Sequence, residues 1–208
     1  MNKRIIPILS TIIIGFGAFF QGGMSKPVMA DEPITSPNMN STDTRSRIKA
    51  GYEYAKKQGI ALDLKHKNPA LVGLGSYLVN AIGGCNDCHT YPSFAEGGNP
   101  YLHQALQINT SNYMAGGAAF GPFCSRNLTA DGSGQPAGMD QKTFIYVMRT
   151  GCDPDGANFD DPASCKLLQV MPWPADAQMT ELDLKAIYEY LGAIPATQPA
   201  ANAQCIPQ

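Results

Sequence analysis

Two thiols and an imidazole stand within five positions at Cys85-Asn86-Asp87-Cys88-His89. This C-x-x-C-H run has the spacing at which both sulfurs can add to the two vinyl groups of one porphyrin, with the adjacent imidazole set beneath the iron. The pattern predicts one covalently bound haem c, thioether-linked at Cys85 and Cys88, with His89 as an axial ligand. A C-x-x-C pair alone also serves thioredoxin-like redox chemistry, but that motif belongs at a strand-to-helix junction and no strand pattern precedes Cys85. A zinc site would need a second pair of ligands at similar spacing, and the chain offers none.

The other axial position separates electron carriers from gas binders and peroxidases. His66 and His103 are the remaining histidines, and Met114, Met139, Met148, Met171 and Met179 are the methionines that follow the motif. Met171 lies in Leu168-Gln169-Val170-Met171-Pro172-Trp173-Pro174, where two prolines stiffen an extended loop. A stiff loop can hold a weak thioether against iron, so Met171 is the expected ligand. Met148 and Met179 fall in or beside helical apolar patterns, where methionine fills cores. Met114, His103 and an open position are the alternatives.

Cys124, Cys152, Cys165 and Cys205 remain. An even number left over in an exported chain reads as two disulfides. Of three pairings, Cys152 with Cys165 is the local one, which leaves Cys124 with Cys205; a buried reduced thiol is the alternative for any of them. Arg126, Arg149 and Trp173 are donors suited to haem propionates. The acids Asp153, Asp155, Asp160 and Asp161 do not follow EF-hand spacing and read as a solvated loop. Tyr188 and Tyr190 read as core and surface aromatics of the last helix.

These residues need elements to hold them. The chain has 208 residues with 15% charged, 21 glycines and 16 prolines, which predicts one domain rich in loops. Residues 1–30 read as a secretory signal: Lys3 and Arg4, an apolar run from Ile5 to Phe20, and Ala30 at the cleavage point. The run is too short to span a bilayer, so the mature protein is expected to be periplasmic without a transmembrane span. Removal of Lys3, Arg4 and Lys26 leaves twelve basic against seventeen acidic side chains, a charge of −5 that makes nucleic acid a poor partner. Residues 31–68 read as a polar leader, flexible over 31–46, with a short peripheral helix over Arg47–Lys57. Residues 69–208 form the predicted haem domain. Apolar spacing predicts helices from Pro69 to Gly83, from Met139 to Thr150, and after a Thr180 N-cap up to Gly192. The glycine-broken stretch from Thr90 to Gly138 reads as a long wrapping loop, and no strand alternation longer than four residues occurs.

From Leu71 to Pro195 the chain resembles monohaem class I-type cytochromes c, especially the haem domains in cytochrome subunits of periplasmic alcohol and aldehyde dehydrogenases. The resemblance rests on Gly75-Ser76-Tyr77-Leu78, the haem motif, Phe120-Gly121, Ser125-Arg126-Asn127-Leu128-Thr129-Ala130-Asp131, Phe144 with Arg149-Thr150-Gly151, Met171-Pro172-Trp173, and Met179 to Leu191. It implies an all-α, cytochrome c-like fold with long Gly/Pro-rich loops around one covalently bound haem. It also implies that the helix before Cys85 crosses the last helix, that His89 and Met171 ligate iron, and that Asn127 to Thr129 lie near the haem rim. The function implied is one-electron transfer between redox proteins, a donor and an acceptor, with a periplasmic dehydrogenase among the partners. The chain has one C-x-x-C-H where many such subunits carry three, so a free carrier and a complex subunit are both open, and a peroxidase-type haem enzyme is the other class.

Overall fold

The computed structural model describes residues 38–207, so the signal segment and the start of the leader lie outside the described residues. Three helices form the frame. α1 (Thr42–Gln58) starts at Ser41, whose hydroxyl accepts from the Thr44 amide, and stops at Gly59 in the left-handed region. α2 (Pro69–Tyr77) is capped by the Asn68 side chain and runs into a π-helical turn, Leu78–Ile82. α6 (Glu181–Leu191) opens with a capping box in which Thr180 and Asp183 satisfy each other's backbone.

α2 is the centre of this frame, packed on α1 along one side and α6 along another. Its glycines make that possible. A Cβ at Gly75 would stand 2.0 Å from the Ala186 carbonyl oxygen of α6, and a Cβ at Gly51 of α1 would stand 2.0 Å from the Gly73 oxygen. The backbones therefore touch, and Ser76 Oγ adds a 2.8 Å hydrogen bond to the Gly51 oxygen. Val72, Leu74, Val79, Leu184, Ile187 and Leu191 seal the core between the helices.

The first helix is thus longer than expected and not peripheral. Residues 42–46, expected as flexible leader, are its opening turn, because Ser41 supplies the cap and Thr44 is buried. α3 (Asn86–His89) is a single turn, α4 (Gln141–Thr150) is capped by Asp140, and α5 (Trp173–Asp176) is another single turn.

The all-α, cytochrome c-like expectation is not met. Helices hold 39% of the described residues, much of the rest is loop, and β1 (Ala119–Phe120) pairs antiparallel with β2 (Phe123–Cys124). The turn at Gly121, with φ of 62°, reverses the chain in the space a glycine allows. Strands of two residues are too short to leave an alternating pattern, so their signal never rose above loop. Further single bridges join Thr90 to Gly116, Phe94 to Ile108, Ala130 to Pro136 and Cys152 to Leu167. Among the described residues no helix is long and apolar enough to cross a membrane.

Two disulfides close the chain, Cys124–Cys205 and Cys152–Cys165. The first fastens the tail to β2, where Gln204 adds hydrogen bonds to Gly117 and Ala119.

Candidate functional site

α2 delivers the motif. Its π turn ends in Gly83 and Gly84, and Gly84 at φ 59° swings the chain so that Cys85 begins α3. π turns of this kind recur at functional sites, where they re-aim the residues that follow. Cys85 and Cys88 are the two cysteines left unbridged. Burial pushes the Cys85 thiol up to about 12, with Asp176 adding to the effect, and burial and Asp87 raise Cys88 as well. Redox-active thiol pairs need the opposite shift, toward thiolate. The pair is therefore poorly suited to dithiol exchange.

His89 is held on two sides. Its backbone oxygen accepts from Gly116 N at 2.8 Å, and its ring Nδ1 lies 2.8 Å from the Arg126 carbonyl oxygen. A carbonyl only accepts, so Nδ1 carries the proton and Nε2 presents its lone pair. Burial and the nearby Arg126 charge lower the imidazole below its usual range, against the raising effect of that hydrogen bond, which favours the neutral ring a metal requires. Thr90 is fully buried, and its hydroxyl accepts from Met114 N at 3.0 Å, so the 113–117 segment is stitched across the motif. Within the motif, Asn86 donates to the Ser93 oxygen, while its own amide oxygen is buried without a protein partner.

Apolar side chains border the motif and the Met171 segment. Cys85, Leu128, Leu168 and Met171 all border the core, half-buried, and Ile82, Leu167 and Val170 leave 60%, 37% and 44% of their surface exposed. The motif offers two free thiols and an imidazole with an open Nε2, donor types that a covalently bound haem would use, while the Met171 thioether stands on the core's border. Among the described residues no group of three or more His, Cys, Asp or Glu is gathered in the manner of a metal ion site.

The methionine alternatives part company. Met114 is fully buried in the core, at a φ of 58°. Met171 stands at the core's edge, just ahead of α5, whose Asp176 is felt by Cys85. His103 and His66 are exposed on loops.

The expected rim residues are committed within the protein. Arg126 is ion-paired with Asp155. The Asn127 amide donates to the Thr197 oxygen, and its oxygen accepts from both the amide and the hydroxyl of Thr129. Trp173 lies against Gly151, where a Cβ would come within 2.3 Å of the indole, and so ties α5 to the end of α4. Arg149 donates to the Ala177 oxygen.

Two features escaped the sequence. The acids of the 152–165 loop are not all solvated, since Asp155 holds Arg126 and Asp153 pairs with Lys166 at 3.0 Å. Tyr190 is fully buried rather than a surface aromatic; its hydroxyl lies 2.9 Å from that of Tyr113, and Asn80 bridges both. The i, i+3 relation of Tyr190 to buried Ile187 was the available signal for that burial. No protein-family model matches the chain, and no curated protein matches it in sequence.

Proposed function

We propose that the protein is an exported single-haem c-type cytochrome that carries one electron at a time between redox proteins. The observation that carries this reading is the state of the motif: the two unbridged cysteines precede an imidazole whose Nδ1–H is spent on the Arg126 carbonyl, leaving Nε2 to bind iron. Cys85 and Cys88 would hold the haem through thioethers, and His89 and Met171 would be its axial ligands. Bound there, the group supplies a one-electron iron couple. The chain's own residues do the rest. The Arg126 carbonyl fixes the tautomer and orientation of His89, as outer-shell acceptors do for metal-bound histidines. Gly116 and Thr90 pin the motif to the 113–117 segment, and the thioether of Met171 is a soft, neutral donor that favours the reduced state.

Partners would be a donor and an acceptor that dock briefly, outside the cytoplasm, through a small patch. A periplasmic dehydrogenase is one such donor. The test is covalent retention: purified protein should keep its haem through acid-acetone extraction, and a Cys85→Ala/Cys88→Ala variant should lose it. Haem released from the unaltered protein sinks the proposal. Carbon monoxide added to reduced, unaltered protein should not bind; rapid binding would instead favour an enzyme of peroxidase type.

A further inference from the structure

Arg126 faces two ways. Its carbonyl receives the Nδ1–H of His89, and its guanidinium is ion-paired with Asp155. Asp155 belongs to the loop closed by Cys152–Cys165. The base of that loop is a short ladder: Cys152 bridges Leu167 antiparallel, the Asp153 amide donates to the Lys166 oxygen at 2.8 Å, and the Leu168 amide donates to the Gly151 oxygen at 2.8 Å. Lys166 and Asp153 close the same base with their side chains. Met171 follows Leu168 by three residues, and both border the core. One covalently closed loop therefore grips the segment behind His89 and the segment that leads to Met171.

We infer that the Cys152–Cys165 loop is a positioning clamp for both axial ligands, with Asp155 acting through Arg126 on the His89 ring and the Cys152–Leu167 ladder setting the path to Met171. The inference deepens the reading of His89 and Met171 as iron ligands and rests on it. The physical lever is the half-buried guanidinium. Removing the Asp155 carboxylate leaves a partly desolvated cation with only the Asp153 charge nearby, so the guanidinium turns toward water or Asp153 and the backbone that carries the carbonyl turns with it. The disulfide holds Asp155 in place by limiting how far the loop can open.

Two readouts on purified protein test this. The first is solvent exchange of the His89 Nδ1 proton, followed by NMR with nitrogen-15 histidine. Asp155→Asn should speed exchange about tenfold, the loss of roughly one charge-assisted hydrogen bond. Asp155→Glu should restore it, and Asp160→Asn, which removes the same charge from an exposed acid of the same loop, should leave it unchanged. A Cys152→Ser/Cys165→Ser variant should match Asp155→Asn. The second readout is the reduction potential, which should rise in Asp155→Asn beyond any rise in Asp160→Asn, because a weakened Nδ1 hydrogen bond makes the ring a poorer donor to ferric iron. Equal behaviour of the two asparagine variants, or exchange indifferent to Asp155, overturns the clamp. Should the purified chain hold no covalent haem, the functional reading falls while the exchange measurement still decides the clamp.

Discussion

Met114 and Met171 have different surroundings, and substitution should tell them apart. Met114 has no exposed surface, so Met114→Ala opens a cavity and should cost about 2–5 kcal/mol in denaturant unfolding. On the haem reading proposed above, the iron of that variant should stay closed to carbon monoxide. Met171→Ala should cost less stability, admit carbon monoxide and lower the reduction potential. If the two variants exchange these behaviours, the ligand assignment is wrong. The buried phenols set a limit of another kind. Burial raises Tyr190 from 10.0 to about 12 and holds Tyr113 well above its ordinary value, because the core accepts only the neutral form. Below pH 10 both are protonated folded and unfolded, and stability should not change on their account. Above it the unfolded chain releases protons that the fold retains, so the urea midpoint should fall steadily toward pH 12. Tyr190→Phe should flatten that decline; a midpoint indifferent to pH over this range counts against the dyad. At this scale the C-x-x-C-H run is visible in the sequence as a pattern because its residues lie within five positions. The Arg126–Asp155 pair is not, since only the disulfide-closed loop brings those residues together.

α2, α4 and α6 were legible as elements because apolar side chains recur along each at helical spacing, with Pro69 and the Thr180–Asp183 box marking two of the starts, while the Asn68 and Asp140 caps emerge only in the structure. Thr180→Ala should cost about 1 kcal/mol, measured by thermal or urea unfolding, since the Asp183 amide loses its hydroxyl acceptor and the Asp183 carboxylate loses a donor. The helix contacts were harder to read. Nothing in the Val72-Gly73-Leu74-Gly75 run says which glycine faces α1 and which faces α6, and that is settled only when both partners close on the backbone. Gly75→Ala places a methyl against the α6 main chain and should destabilise by about 1–3 kcal/mol or more, with helix content retained if only the packing yields. A stable Gly75→Ala protein would mean that α6 can slide. The hairpin and the π turn left no pattern in the sequence, because they are short and set by turn geometry and tertiary contact.

At the scale of the molecule, the 90–138 segment has little helical or strand support of its own and is held by isolated bridges, the buried Thr90 and the tail. The tail matters most through Cys205. Replacing Cys124 and Cys205 by serine should cost about 2–5 kcal/mol, read as a lower unfolding midpoint. The pairing itself has a topological consequence. Cys124 and Cys205 are 81 residues apart, and the 13-residue separation of Cys152 and Cys165 falls wholly within that span, so the covalent graph is a small ring nested in a large one. A protease that cuts once between 124 and 205 opens a ring without releasing a fragment, and the nicked chain runs as one band until it is reduced. One cut before 124 behaves differently and frees a piece at once, so single cuts trace the outer ring, and pairs of cuts, which release a piece when both flank 152–165 but not when one falls inside it, trace the inner one.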